Sequence, residues 1–395
     1  MRPQITSKLP LLLGFLIAVG PVSTDMYLPA FPALAADLHN QAAPQYSLAS
    51  YFLGLACGQM TWGALSDRVG RRSPLLVGMV LYMLATLGCT LSWNTESLVI
   101  FRFLTALGAS AGLVIPRAIV RDLADGPAAA KLMSKLMLVM GVAPICAPML
   151  GAVCMMFLGW RFIFALCTIY GVIAFIYAWF CLPDTLPVER RTRLGVVSVL
   201  VRYVDIFRER SFSAHAIINA CACACLFAYL SGSPQIFEGE FGWSSTDYAI
   251  FFGVNSLFYI GYSQLNPILV NRFGIAPIIT AMSAWQLICT AGLVILALFP
   301  FGALALAGNL ALCELAFGLL FPCCMVGALS KHQAHAGSAA ALLGTLSYCG
   351  GAIAGVGVGV LGDGTARPMA LVMLVSAAIA ALVACWRPRL EFSKE

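Results

Sequence analysis

The sequence predicts an all-α polytopic membrane protein, with twelve transmembrane helices in two six-helix, pseudo-symmetric bundles. Three observations carry that prediction. Of the 395 residues, 61% are hydrophobic and 10% charged, and the mean hydropathy is +0.91; a soluble domain is ~25% charged. The apolar residues gather in runs of about 18–25, long enough to cross a ~30 Å hydrocarbon core as helices, and not in the short alternating segments of a β-barrel. The basic residues fall in alternate loops.

Taken in order, the runs cover residues 9–30, 46–66, 74–93, 97–117, 133–157, 161–182, 212–236, 246–270, 276–299, 301–326, 337–361 and 367–386, each bounded by charges, Pro or Gly. The stretch 9–29 has no clear small-residue cleavage site, so it reads as a first span and not a signal peptide. With the N-terminus inside, one side receives Arg2, Lys8, Arg68, Arg71, Arg72, Arg117, Arg121, Lys131, Lys135, Arg190, Arg191, Arg193, Arg202, Arg208, Arg210, Arg272, Lys331, Arg387, Arg389 and Lys394. That is 20 of the 23 Lys and Arg, which predicts two cytoplasmic termini. Only Arg102, Arg161 and Arg367 lie at the other side.

The longest polar segment divides the chain six plus six: 1–183 as an N-terminal bundle, 184–211 as a cytoplasmic linker and 212–395 as a C-terminal bundle. A weak internal echo agrees, because Asp67-Arg-Val-Gly70 closes the second run and Asn271-Arg-Phe-Gly274 the eighth. Two related halves are the layout of a secondary transporter with its site between them at the midplane.

Other classes fit poorly. The basic residues are spread over short loops without interleaved aromatic surface, which argues against nucleic acid. No GxxxxGK[ST] loop is present, which disfavours ATP-driven export. The 15 cysteines lie almost entirely in apolar runs. In Cys221, Cys223 and Cys225 the i, i+2 spacing turns side chains to different faces of a helix, so small buried hydrophobes are expected and no metal site. His39, His215, His332 and His335 read as solvated loop residues near span ends.

Specific motifs then appear. Gly63-Ala-Leu-Ser-Asp-Arg-Val-Gly-Arg-Arg72 resembles the signature loop between helices two and three of the major facilitator superfamily. Thr24-Asp-Met-Tyr-Leu-Pro29 resembles its bicyclomycin and chloramphenicol resistance (Bcr/CflA) branch of drug/proton antiporters. So do Tyr51 with Gly58-Gln59, Arg102-Phe103 with Gly108, Arg117-Ala-Ile-Val-Arg-Asp-Leu123, Ala143-Pro144 through Gly151, and Pro183-Asp-Thr-Leu-Pro187. The resemblance covers both halves, with its sharp motifs nearly all in the first.

Asp25 is the first candidate. It lies sixteen residues into a helix that starts near Leu9, ~24 Å along the axis and inside the hydrocarbon. An intramembrane acid is costly unless it serves a function. Arg102, counted from the outer end of span four, falls at a similar level. An arginine nearby favours the charged carboxylate and burial the neutral one, so movement between the two settings would load and release a proton. The resemblance matches Asp25 to the first-helix acid implicated in proton exchange and Arg102 to the fourth-helix motif arginine. A static ion pair, or attraction of an anionic substrate by Arg102, is the alternative.

In the signature loop, Gly63, Asp67, Arg68, Gly70, Arg71 and Arg72 form an expected inner latch, with Asp67 pairing an arginine or the N-terminus of span eleven. The alternative is positive charge acting on topology alone. Gly141, Pro144, Pro148 and Gly151 mark a bend in span five that the resemblance associates with antiporters; tight packing is the alternative. Glu314, well inside span ten, would either select cationic substrates or carry a second proton, or else bond a neighbouring helix. Tyr27, Tyr51, Gln59, Tyr229, Ser231, Gln235, Asn255, Tyr259 and Tyr348 are the polar or amphipathic span residues from which a substrate surface would be drawn, each able instead to bond another helix.

The expectation is therefore a bacterial inner-membrane, proton-coupled exporter of small amphipathic compounds including drugs, a monomer, needing no cofactor beyond the proton gradient. A dedicated exporter of a siderophore or small metabolite is the alternative, and a receptor or membrane enzyme a remote one, since no metal cluster or nucleophile–base pair is seen in the spans.

Overall fold

The computed structural model describes residues 9–124, 126–187, 189, 191, 196–299, 301–332 and 335–388. Arg2, Lys8, Arg190, Arg193, Arg389 and Lys394 of the topology reading lie outside them. Among the described residues the regular elements are all helical, and ten helical stretches are long and apolar enough to cross a membrane. Two more stretches of the sequence reading, 46–66 and 246–270, also fold as helix but carry too many polar residues to meet that measure by themselves.

The chain forms two compact units, Met1–Val196 with Ser245–Gly253, and Val197–Ser244 with Val254–Glu395. The first contains α1 (Leu9–Asp25), a 3₁₀ turn (Leu28–Ala30), α2 (Phe31–Asp37), α3 (Ala43–Val69), α4 (Arg72–Thr90), α5 (Thr95–Leu123), α6 (Gly126–Phe157) and α7 (Trp160–Cys181). Within it α3 and α4 pack on α5, α4 on α7, and α1 on α6 and α5. Helix α5 starts at a reciprocal cap: Asn94 Oδ1 accepts from the Ser97 N–H at 2.8 Å, and Ser97 Oγ accepts from the Asn94 N–H at 3.3 Å.

The chain continues through α8 (Val196–Arg208), α9 (Arg210–Pro234), a π-helical stretch (Gln235–Glu240), α10 (Ser245–Gln264), α11 (Asn266–Phe273), α12 (Ile275–Leu298), α13 (Ala303–Leu329), α14 (Ala336–Val360) and α15 (Arg367–Trp386). In the second unit α9 packs on α14, α15 and α13, and α12 packs on α13 and α15. Its core gathers Ile218, Ile279, Leu319, Leu320, Cys323 and Cys324. Outward-facing apolar residues such as Phe157, Ile353 and Leu382 are 71–75% exposed, a surface suited to hydrocarbon and not to water.

Three expectations need correction. The run 9–30 is not one helix: α1 stops at Asp25. Pro29 has no N–H to give the Asp25 carbonyl, and its ring would collide with that carbonyl if the helix continued. The run 246–270 is broken too, at Leu265 before Asn266-Pro267, for the same reason. His215 is not a solvated loop residue; it is fully buried in α9, with its Nδ1 2.7 Å from the Ser211 carbonyl. Cys223 and Cys225 are buried in α9, and the Cys225 thiol donates to the Met373 carbonyl at 3.3 Å.

The echo between Asp67–Gly70 and Asn271–Gly274 is also conformational. Gly70 ends α3 with φ 105° and ψ 170°, and Gly274 ends α11 with φ 79° and ψ 166°. That region is essentially closed to other residues, at about 1–3 kcal/mol. Surroundings differ, however. A Cβ on Gly70 would lie 2.2 Å from Asp184 Oδ2, whereas on Gly274 it would meet nothing nearer than Pro277 Cδ at 4.0 Å. Both Ala substitutions should lower the melting temperature of the detergent-solubilised protein, Gly70→Ala the more. Equal shifts would show that the Asp184 contact adds nothing.

Candidate functional site

The site is organised by the end of α1. Because the chain turns at Asp25, the last carbonyls of α1 have no helical partner and present the negative end of the helix dipole. Arg102 of α5 fills that position: its Nη1 donates to the Ser23 carbonyl at 3.0 Å. Asp25 is the second residue after that carbonyl, so arginine and acid occupy one level. They do not touch. No ion pair joins them, and Asp25, 5% exposed, makes no hydrogen bond with a described residue.

What holds Arg102 is aromatic. Its guanidinium carbon lies 4.4 Å from the Tyr27 ring centroid, 4.2 Å from Tyr51 and 5.5 Å from Phe164, and the residue has no exposed surface. Desolvated cation–π contacts of this kind are worth about 2 kcal/mol each. The rings are fixed in turn. Tyr27 OH lies 2.9 Å from Ser47 Oγ, Tyr51 OH donates to the Gly20 carbonyl at 3.2 Å, and Ser23 Oγ meets Tyr82 OH at 2.7 Å. Tyr27 and Tyr51 are thus walls of the arginine box. Sequence reasoning placed them among substrate residues because an amphipathic ring in a span has no signature that distinguishes the two roles.

Helix α6 closes the break from the other side. A Cβ on Gly151 would stand 1.8 Å from the Met26 carbonyl, so the backbone immediately after Asp25 rests on this glycine. Pro144 and Pro148 are absorbed within a continuous α6, and Gly141 is half-buried on it. Gln59 is buried in α3. The remaining predicted substrate residues belong to the second unit. Asn255 Nδ2 donates to Tyr229 OH at 3.1 Å, Tyr348 stacks on Phe227 at 6.1 Å, and Gln235 opens the π-helical stretch. Ser231 is fully buried, Tyr259 half-buried, and Glu314 3% exposed with no described partner.

The signature loop is built around Arg71 and not around Asp67. Arg71 is 4% exposed. Its side chain donates to Asp122 Oδ2 at 2.8 Å, Asp67 Oδ1 at 2.5 Å and Ser66 Oγ at 3.0 Å, while its N–H donates to Asp184 Oδ1 at 2.9 Å. Asp184 pairs in addition with Arg191 at 2.8 Å, and Thr185 Oγ1 donates to Asp122 at 3.2 Å. Burial alone would pull the guanidinium's pKa down, but Asp122 and Asp67 outweigh it and raise the value. Asp67, expected to pair with span eleven or an arginine, has its carboxylate 48% exposed and bound to Arg71 one turn on. Arg72 donates to the Trp179 carbonyl at 2.7 Å, and Arg68 is exposed.

Asp122 and Asp184 were not singled out as site residues. Their signal was present, since each lies in a stretch resembling the family, but only the fold shows three distant segments converging on one arginine.

A broken apolar helix beside a buried acid and arginine, in a chain of membrane-length helices, is a setting suited to a multi-pass membrane transporter. The chain belongs to the Major Facilitator Superfamily, whose model matches residues 13–356. It is 36% identical over 388 residues to an uncharacterized MFS-type transporter, YdgK, of Bacillus subtilis (strain 168), covering 95% of this chain and 94% of that protein. Identity to a bicyclomycin resistance protein homolog of Haemophilus influenzae is 28% over 364 residues, covering 92% of each. Among solved structures, the nucleoside transporter NupG in a mutant form superposes with a TM-score of 0.75 at 13% identity, covering 96% of this chain and 98% of that one.

Removing a buried charge's partner strands the rest. Arg71→Gln should destabilise the protein by about 3–5 kcal/mol, while Arg68→Gln at the exposed neighbouring position should stay within about 0.5 kcal/mol. Melting curves of the two variants measure the difference; similar values would mean that the Arg71 network carries no net stability.

Proposed function

We propose that the protein is a proton-coupled exporter of small amphipathic compounds, antibiotics among them, working by alternating access in the bacterial inner membrane with both termini in the cytoplasm. It acts as a monomer and uses no cofactor, the proton gradient supplying the free energy. The observation that carries this reading is the state of Asp25: an acid inside the hydrocarbon, at a helix break, level with a buried arginine yet bonded to nothing described. A static structural pair would be closed. An open one leaves the carboxylate able to change its proton while Arg102 stays on the Ser23 carbonyl and bounds the cost of the charged state.

In this reading Asp25 takes a proton on the side of higher proton concentration and gives it up on the other, and the substrate leaves in exchange. Tyr27, Tyr51 and Phe164 keep Arg102 fixed so that its field on Asp25 changes only when helices move. The Arg71 network acts as the latch: it ties the ends of α3, α4, α5 and α7 into one rigid corner. Drug export is supported by the resistance role in the printed name of the Haemophilus relative.

The test is uptake of labelled chloramphenicol into inside-out vesicles under an imposed proton gradient. Wild type should accumulate the drug and Asp25→Asn should not, with both present in equal amounts in the membrane. Equal transport by both would remove Asp25 from the coupling. No transport by wild type would turn the search to siderophores and metabolites.

A further inference from the structure

Helix α8 has 13 residues, ~20 Å of length at ~1.5 Å each, too short to cross a ~30 Å hydrocarbon core. It leads into membrane-length α9 through one residue, Glu209, whose backbone is extended at φ −70° and ψ 118°. The two helices are therefore not one rod, and α8 turns off the α9 axis at the level where α9 begins. The Glu209 carboxylate fixes that corner, accepting from the N–H groups of Ser211 at 3.1 Å and Phe212 at 2.6 Å.

The three sides of α8 differ. Tyr203 and Ile206, one turn apart, are buried. Ser198, Arg202 and Asp205 line an open cleft with His332 and His335. The third side is apolar and bare. Leu200, Val204 and Phe207 stand at i, i+4 and i+7 and are 50%, 49% and 42% exposed, with Val201 beside them at 53%. A short helix with one apolar and one polar side lies in the plane of a membrane interface.

Charge and a neighbouring ring say what covers that stripe. Arg208, one turn after Val204, and Arg210, at the start of α9, are both exposed. The Arg210 guanidinium carbon lies 4.5 Å from the ring centroid of Trp386, the last residue of α15, which is 75% exposed. A bare tryptophan at the end of a membrane-length helix marks the headgroup level, so the arginine on it stands at that level too. Neither arginine pairs with a carboxylate among the described residues. Glu209, between them, is taken by its two N–H groups and by Lys331 at 3.4 Å. Two unpaired guanidinium groups beside an apolar stripe complement a phosphodiester that carries acyl chains and no ammonium of its own.

We propose that α8 is an interfacial helix covered by anionic phospholipid: Leu200, Val201, Val204 and Phe207 lie against the acyl chains, and Arg208 and Arg210 hold the phosphate. The chain passes from the first unit to the second at Val196–Val197, where α8 starts. Lipid charge thereby sets how firmly the connection between the units is seated on the bilayer.

The test is hydrogen exchange of the full-length protein in nanodiscs that hold a single copy, made of phosphatidylcholine alone or with phosphatidylglycerol. The α8 amides of the wild type should exchange about tenfold or more slowly with phosphatidylglycerol, while those of α12 exchange alike in both. Salt at ~1 M, where the Debye length is ~3 Å, should remove the difference. The double variant Arg208→Gln/Arg210→Gln should lose it as well, with α12 unchanged as the sign that the fold is kept. Equal α8 exchange by the wild type in the two bilayers would overturn the proposal, and so would protection retained in the double variant. Should that variant fail to fold, the wild-type comparison decides alone. Protection that needs two copies in one disc would also overturn it, by assigning the stripe to a second copy of the chain. No transport is measured, so the result is independent of the export reading.

Discussion

A guanidinium cannot be left bare in hydrocarbon, and the first unit is arranged around that constraint. Arg102 receives a helix-end carbonyl and three aromatic faces in place of water. The carbonyl is available only because α1 stops at Asp25, and α1 stops because Pro29 denies it the next hydrogen bond. Irregular backbone at membrane depth survives only when protein or a water-filled cavity covers it; here Gly151 of α6 lies against the Met26 carbonyl. Break, box and covering helix are thus one solution to one cost, and the acid at the break inherits a positive neighbour that it does not touch.

At the basic end of the same unit a second buried arginine is satisfied in another way. Arg71 takes carboxylates from its own loop, from the end of α5 and from the exit of α7. Because Gly70 admits Asp184 where a side chain would exclude it, the glycine and the network are parts of one joint. The second unit repeats the glycine at 274 with nearly the same backbone angles, but Asn271 stands in the place of Asp67. Backbone and charge have separated in the two halves. The buried ionisable groups divide as well, with Asp25 and Arg102 in one unit and Glu314 in the other.

Most of the helical layout was legible from apolar runs and their Pro and Gly boundaries, because membrane length and the missing proline donor act locally. The break at Asp25 was legible in principle, since Pro29 is four residues on, yet hydropathy runs straight through it. Arg102 could be placed at the level of Asp25 by counting residues at 1.5 Å each, but which carbonyl and which rings it meets depends on α1, α3 and α7 together. The Arg71 hub was hidden for the same reason: a loop arginine looks solvated until distant segments such as Asp122 and Asp184 are brought to it. His215 was misread because its position near a span end says nothing about which face it occupies.

The central claim is that Asp25 is free to exchange a proton because Arg102 is held elsewhere. Proton release on chloramphenicol binding, followed with a pH-sensitive dye in weakly buffered detergent solution, measures this without a membrane gradient. The account predicts release by the wild-type protein and none by Asp25→Asn that still binds the drug. Undiminished release from that variant would contradict it.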